Sequence, residues 1–510
     1  MYSIVNTATI FGIDSKIISV EADISEGMPM FEMVGYLSSE VKEAKERVRA
    51  ALKNEGYALP IKRITVNLSP ASIRKTGAGF DLPIAVAVLS AIGIIDNDKL
   101  KNICLLGEIA LDGKIQPING VLSMVMEAKK KGLGIVIVPK ENLLEARLVS
   151  GITTIGAAKL KDVIDIINEE RYEMEELPSD SEARIVEAPE YDFSMINGQQ
   201  ALRRACEVAI CGMHNLLMVG PPGAGKSMVA KCIPSILPPM DIEEQMEVSK
   251  VYSVSGMFDE RKGLIKNRPF RSPHHTVSAQ GLVGGGQIPK PGEISLSHGG
   301  VLFLDELTEF TKSTLEMLRQ PLEDKQVNIA RATGSFTYPA DFVLVAAMNP
   351  CSCGYYPDLN RCHCTRQSIQ RYLQKISQPL LDRIDICVEA PTLNFRQISR
   401  HDDNESSAQI RERVIRAHQL QRDRYKVYGF LFNSQIPSNL IDKFCILSED
   451  NRAFMEEMYN KYSLTARTYH KVLRVARTLA DMDGAEEIQR IHLQEAVLYR
   501  GLDKKYWEEV

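Results

Sequence analysis

The sequence predicts an α/β protein in three parts: a compact N-terminal α/β domain, a phosphate-binding α/β core built on a parallel sheet, and a helical C-terminal lid. Three observations carry this expectation. Strand-like runs such as "ITVNL" and "GIVIV" alternate with amphipathic helical stretches over residues 1–167. An apolar strand runs into a glycine-rich turn and then a helix at "NLLMVGPPGAGKSMVAKCI". After "APTLN" the pattern becomes helical and charged to the C-terminus. The chain has 510 residues, 44% hydrophobic and 25% charged, enough for about three domains.

Taken in order, "MYSIVNTATIFGIDSKIISVEADI" alternates apolar and polar residues and lacks a basic segment followed by an apolar one. It reads as strands, and export is not expected. In "SSEVKEAKERVRAALKNEG", Val41, Ala44, Val48 and Ala51 share one helical face. The longest apolar run, residues 82–95, is bounded by Asp81 and Asp96 and falls short of the roughly 20 residues that span a bilayer. It reads as a buried helix, so no membrane partner is expected. Residues 168–192, "NEERYEMEELPSDSEARIVEAPEYD", are acidic and carry two prolines, the composition of a solvated linker. That sets the expected divisions: a domain at 1–167, a linker at 168–192, a core at 193–390 and a lid at 391–510.

The formal net charge of -5 provides no global basic field, so contact with nucleic acid must come from local clusters. Ten cysteines in a chain of this length, without an export signal, point to a reducing compartment. Six are scattered as apolar filler.

Gly220, Pro221, Pro222, Gly223, Ala224, Gly225, Lys226 and Ser227 form G-x-x-x-x-G-K-S between strand and helix. The glycines let consecutive N–H groups turn inward around phosphate oxygens, and the helix start adds partial positive charge. Lys226 is placed for the β- and γ-phosphates, and Ser227 for magnesium. Downstream, "GVLFLDELTEF" ends an apolar strand in Asp305 and Glu306. Paired with the phosphate loop, Asp305 is expected to hold magnesium through its ligand waters, and Glu306 to orient and deprotonate the attacking water.

Cys351, Cys353, Cys362 and Cys364 follow the apolar strand "FVLVAAMN" as C-x-C, eight residues, C-x-C. Four thiolates can close a tetrahedral structural zinc site. Reducible loop thiols and redox chemistry are the alternatives, and His363 is a fifth candidate ligand. Zinc here would pin a loop that otherwise carries slack into the nucleotide site. His274 and His275 could reach a phosphate or a metal, but two ligands do not make a site, and the pair reads as loop packing. The glycines of residues 281–293 lack a strand before and a helix after, which suggests a mobile insert. "QVNIARATGSFTYPADF" reads as a hairpin in which Lys325 and Arg331 are basic and Phe336 could stack on a base. An ordinary solvated hairpin is the alternative.

The segments "GEISLSHGGVLFLDELTEF", "AAMNPCSCGYYPD" and "QPLLDRIDICVEA" resemble the magnesium-chelatase-like AAA+ ATPases of the YifB/ComM family, over nearly the whole chain. The resemblance implies ATP and magnesium as cofactors. Asn349 resembles the sensor-1 residue that positions the attacking water, and otherwise starts a turn before Pro350. Arg383 resembles the arginine finger that completes a neighbouring subunit's site, the alternative being an ion pair with Asp382 or Asp385. Arg467 resembles sensor 2, reaching from the lid to the nucleotide. Lys471 and Arg474 share its helix, off the apolar stripe of Leu464, Val472, Ala476 and Leu479, and read as solvated. The family also implies a cytoplasmic homo-oligomeric ring of six subunits. It implies a DNA partner, through Arg331 and Lys325, and branch migration in recombination or natural transformation. Protein remodelling of the kind performed by the magnesium-chelatase motor is the alternative.

"KTGAGFDLPIA" and "GEIALDGKIQPINGVLSMV" resemble the Lon protease domain, whose catalytic pair is a serine and a lysine. Gly79 stands where the serine should be, with Leu122 and Met124 where the lysines of that motif would stand. None of these supplies a nucleophile or a base, so the expectation is a Lon-like fold without proteolysis.

Overall fold

A computed structural model describes residues 1–172, 190–286, 289–331, 334–392 and 404–508. The linker expected at 168–192 therefore lies largely outside the described residues. So does the start of the lid.

The N-terminal chain forms the antiparallel pair Tyr2–Phe11 and Asp14–Ser25, turned at Gly12, where φ is +70°. Five more strands extend the pair into a mixed seven-stranded sheet. The stretch read as an amphipathic helix is Ser39–Asn54. Ser38 caps it, and Val41, Ala44, Val48, Ala51 and Leu52 are buried. The apolar run forms the helix Asp81–Ile92, buried along nearly its whole length. Its N-terminal carboxylate, Asp81, is fully buried and tied to Arg47 at 2.7 Å. A buried charge must be paired.

The core is a five-stranded parallel sheet in the order Phe270–Arg271, Val301–Leu304, Val343–Met348, Leu216–Val219, Ile386–Glu389. Alternate side chains of these strands enter two separate apolar clusters. Leu216, Met218, Val301, Phe303 and Val345 face one side, where the packing continues without a break into the lid helices Ser407–Tyr425 and Ala466–Met482. Leu217, Val219, Leu302, Leu304 and Ala346 face the other, which also takes in Cys351 and Cys362. Strands buried on both faces read as continuous apolar runs, which is why Leu216–Val219, Val301–Leu304 and Val343–Met348 were legible.

The N-terminal domain docks on the core through the helix Ile242–Ser255 and the hairpin of strands Gln326–Arg331 and Gly334–Pro339. Ser253 Oγ donates to the buried Glu145 carboxylate at 2.5 Å, and the Gly120 N–H donates to the Ser253 carbonyl. Phe11 packs on Phe336 with ring centroids 5.0 Å apart. No described helix is long and apolar enough to cross a membrane.

The lid departs from its sequence reading at Lys471 and Arg474. Lys471 is buried and pairs with Asp385 at 2.9 Å, while also donating to the Ile384 carbonyl. Arg474 donates to the Ile436 carbonyl. Asp385 further accepts from the Asn215 N–H at 3.0 Å. Against the desolvation that opposes its charge, Lys471 and His214 hold the Asp385 carboxyl well below the usual carboxylate range. This pair fastens the lid to the edge of the sheet where the strands begin. Truncation to Lys471→Ala leaves that carboxylate buried without its counter-charge. It is expected to lower the unfolding free energy by about 3 kcal/mol, read as a shifted urea midpoint.

Candidate functional site

The phosphate loop leaves the strand Leu216–Val219 and enters the helix Lys226–Ile236. Gly223 and Gly225 have φ of +77° and +82°, backbone that only glycine adopts cheaply. A Cβ on Gly220 would stand 2.4 Å from the Ala390 carbonyl oxygen. The Gly220 N–H donates to the Met348 carbonyl at 3.1 Å, joining the loop to the neighbouring strand.

Four of the expected residues meet here. Lys226 is buried, and its ammonium donates to the carbonyls of Gly220 and Pro221 at 2.7 and 2.9 Å and to Asn349 Oδ1 at 3.2 Å. Burial pulls its pKa below the ordinary lysine value, with Asp305 opposing. Ser227 Oγ donates to Asp305 Oδ2 at 2.6 Å. A hydroxyl and a carboxylate held this close fit a hard divalent cation of the magnesium class. Glu306 follows with φ of +51° and its side chain more than half exposed, an orientation that aims the carboxylate outward, past the strand end. Three strand ends thus deliver Lys226, Asp305 and Asn349 to one edge, as open parallel sheets do.

Two contributors carried no sequence signal. Gln199, also in left-handed backbone at φ +51°, is buried and donates through Nε2 to the Ala224 and Pro391 carbonyls, both at 2.8 Å. It clamps the phosphate loop to the segment after the last strand. His275, expected to pack a loop, does set its ring against His274 and Phe310, and it also lies 3.4 Å from the Glu306 carboxylate.

Arg383 and Arg467 lie elsewhere. Arg383 comes three residues before the strand Ile386–Glu389, at the edge opposite the phosphate loop, a strand length of about 13 Å away. It donates to the Arg319 and Pro379 carbonyls and to Glu323. The expected alternative partners, Asp382 and Asp385, are not its acceptors. Arg467 sits one turn before the anchored Lys471 and reaches the same Glu323 carboxylate at 3.6 Å. Arg467, read as reaching from the lid to the nucleotide, sits on a helix that Lys471 anchors at the edge where the strands begin, and its guanidinium meets Glu323 there.

The four cysteines form one cluster, with all four sulfurs within 4.8 Å of one another. Cys351 Sγ is 3.3 Å from Cys353 Sγ and 3.7 Å from Cys362 Sγ, and Cys353 Sγ is 3.6 Å from Cys362 Sγ. Zinc–sulfur bonds of about 2.3 Å in a tetrahedron put sulfurs about 3.8 Å apart, so the cluster fits a tetrathiolate metal. Within the cluster, burial pushes the Cys351 and Cys362 thiols up, while at Cys353 burial is outweighed by the Tyr355 N–H and the neighbouring thiols, which bring it down to about 6. The other six cysteines are buried singly.

The hairpin forms as read, with its tip at 332–333 outside the described residues. Arg331 is exposed at that tip, and its Nη2 lies 3.2 Å from where a Cβ on Gly285 would stand. Gly285 belongs to the segment expected to be a mobile insert. Its described part instead forms the helix Ala279–Val283 and a two-stranded pair, Gly284–Gly285 with Lys290–Pro291. Lys325 precedes the hairpin and pairs with Asp341 at 3.2 Å. Six residues of strand, about 20 Å, separate it from Arg331, so the two do not form one basic patch. The half-buried Phe336 ring packs against Phe11.

In the N-terminal domain, Gly79 and Met124 line one cavity of about 370 Å³, bordered across the domain junction by Val254, Pro289, Lys290 and Phe336. Leu122 is buried, and its N–H donates to Glu145. Of the Lon-motif positions, Gly79 and Met124 thus share one cavity, and none of the three carries a hydroxyl or an amine.

Comparison with known proteins agrees with this architecture. Residues 192–398 match the family described as magnesium chelatase, subunit ChlI; residues 20–142 match subunit ChlI of Mg-chelatase, and residues 404–500 its C-terminal region. The chain is 41% identical over 503 residues to YifB of Salmonella typhimurium, covering 98% of this chain and 97% of that one. It is 40% identical over 504 residues to the competence protein ComM of Haemophilus influenzae, with the same coverage. A 143-residue stretch is 30% identical to Lon protease 2 of Bacillus subtilis, 26% of each chain.

The clamp made by Gln199 gives this site its own test. Gln199→Ala removes two hydrogen bonds that shape the phosphate loop, at roughly 1 kcal/mol each. Titration with a fluorescent adenine nucleotide is expected to show affinity about tenfold or more weaker, with the fold intact by circular dichroism.

Proposed function

The chain belongs to the magnesium chelatase ChlI-type family that includes YifB and ComM, and from that premise we propose that it is a ring-forming AAA+ ATPase. In this reading it couples ATP hydrolysis to movement on DNA, in branch migration during recombination or natural transformation. One observation carries the ring: the hydrolytic residues lie at one edge of the sheet, while Arg383 and Arg467 wait together at the other. A cation that cannot reach its own nucleotide acts on the next subunit's, and identical subunits repeating that contact close into a ring. Family resemblance sets the number at six and the compartment as the cytoplasm.

Within one subunit, the loop N–H groups and the start of the helix Lys226–Ile236 receive the phosphates. Lys226 exchanges its loop carbonyls for the β- and γ-phosphate oxygens. Magnesium, held by Ser227 and through water by Asp305, would neutralise developing charge on the phosphates. Asn349 positions the attacking water, and Glu306 takes its proton. Arg383 and Arg467 of the adjacent subunit stabilise charge in the transition state. Glu306→Gln is expected to bind nucleotide as the unaltered protein does while turnover falls about 100-fold or more. Full turnover in that variant would remove Glu306 as the base.

The DNA reading rests on the relative named for competence, on family resemblance, and on exposed Arg331 where two hairpins meet. Among the described residues no acid pairs with Arg331, so it is available to a phosphate backbone, with binding that weakens steeply as salt rises. ATPase rates at low salt, with and without single-stranded and four-way-junction DNA, test it. Stimulation is expected, and its loss in Arg331→Ala. No stimulation by either DNA would favour the second reading, remodelling of a protein assembly, which the chelatase family supports. The N-terminal domain is read as a Lon-like module without proteolysis, because Gly79, Leu122 and Met124 offer no catalytic pair.

We assign the cysteine cluster to structural zinc. Purified protein is expected to hold about one zinc per chain, lost on Cys351→Ser or Cys362→Ser. Metal analysis that finds none under reducing, chelator-free handling would reject the assignment.

A further inference from the structure

The cysteine loop does not merely follow the nucleotide site. The chain that leads into it and the loop itself touch the phosphate loop at three points, two at the strand end and one, Gly354, within the loop. Met348 accepts from the Gly220 N–H, Asn349 accepts from the Lys226 ammonium, and Gly354 packs its backbone on Pro222. The last contact is the tightest: a Cβ on Gly354 would lie 2.5 Å from Pro222 Cδ, and Gly354 has φ of +86°. Pro222 Cδ belongs to a closed ring and cannot swing aside. Gly354 in turn donates its N–H to the Cys351 carbonyl at 3.0 Å, and the Tyr356 N–H points to Cys351 Sγ at 3.4 Å. The described stretch from 349 to 364 contains neither helix nor strand, so Gly354 is held by these contacts to Cys351 together with the packing of Tyr356 on Tyr506.

We propose that the four-cysteine site is a brace on the nucleotide site: zinc held by Cys351, Cys353, Cys362 and Cys364 keeps Gly354 against Pro222, so nucleotide affinity depends on metal occupancy. This rests on the ATP-binding reading above. Four ligands from two C-x-C arms fix both ends of the loop, and each bound thiolate has released its proton to solvent. Without the metal, thiol contacts are weak, and the loop from 351 to 364 regains freedom that reaches Pro222 and Asn349 directly. Because two sites coupled in this way affect each other equally, nucleotide must also tighten zinc binding. That reciprocal effect is independent of turnover.

The experiment uses the full-length protein, zinc-loaded, with a fluorescent ADP and a chromophoric zinc chelator. Zinc-loaded protein is expected to bind ADP about tenfold tighter than chelator-treated protein, and saturating ADP to raise zinc affinity by the same factor. Gly354→Ala is expected to retain zinc, bind ADP more weakly, and lose the reciprocal effect. Should removal of zinc unfold the chain, as judged by circular dichroism, the competition on loaded protein with and without ADP decides the matter. An unchanged zinc affinity in saturating ADP overturns the brace, as does Gly354→Ala with undiminished coupling. Protein that holds no zinc overturns it as well. Zinc-loaded protein that fails to bind ADP at all overturns the nucleotide reading, and the brace with it.

Discussion

Parallel strands buried on both faces leave polar chemistry nowhere to go but their ends. In the core, that constraint sorts the functional groups: Lys226, Ser227, Asp305, Glu306 and Asn349 follow strands at one edge, while Asp341, Arg383 and Asp385 precede strands at the other. The side chains between them are committed to the two apolar clusters and have no other role. The same sorting makes a single subunit incomplete under the proposed function, because the cations that would offset transition-state charge are a strand length from the phosphates they would serve.

Fastening follows the same geometry. The lid is held at the strand-start edge by the buried Lys471–Asp385 pair, a contact whose cost of desolvation is offset only by its full complement of partners. Phosphate-loop shape is set from the opposite side, by Gln199 beneath it and Gly354 against it. The N-terminal domain leans on the hairpin through Phe11 and Phe336. Its cavity at the Lon-like positions, walled partly by the core, is where the two units share a surface.

Glu323 illustrates how an exposed acid acquires meaning from its neighbours. On its own it would be an ordinary surface carboxylate, yet it accepts from Arg383 and forms an ion pair with Arg467. Core and lid each contribute one arginine to it. An exposed ion pair adds little stability, so the consequence is one of placement: two cations from separate elements are presented side by side.

The sequence by itself determined the strands, the phosphate loop, the acidic pair after "VLFL", the hairpin and the four-cysteine spacing, because each depends on local pattern: apolar runs, glycine at special backbone angles, ligands at short separations. Val41, Ala44, Val48 and Ala51 on one helical face needed nothing beyond periodicity. Tertiary structure alone decided the partners. Lys471 and Arg474 read as solvated since a helix face carries no record of what covers it. His275 read as packing because Glu306 is thirty-one residues away along the chain. Gln199 gave no signal, as a glutamine in a turn is commonplace until its amide meets two carbonyls from distant segments. Arg467 carried a motif role without a direction, and its surroundings became legible only in the fold, where Lys471 anchors its helix to Asp385 at the far edge of the sheet and its guanidinium meets Glu323.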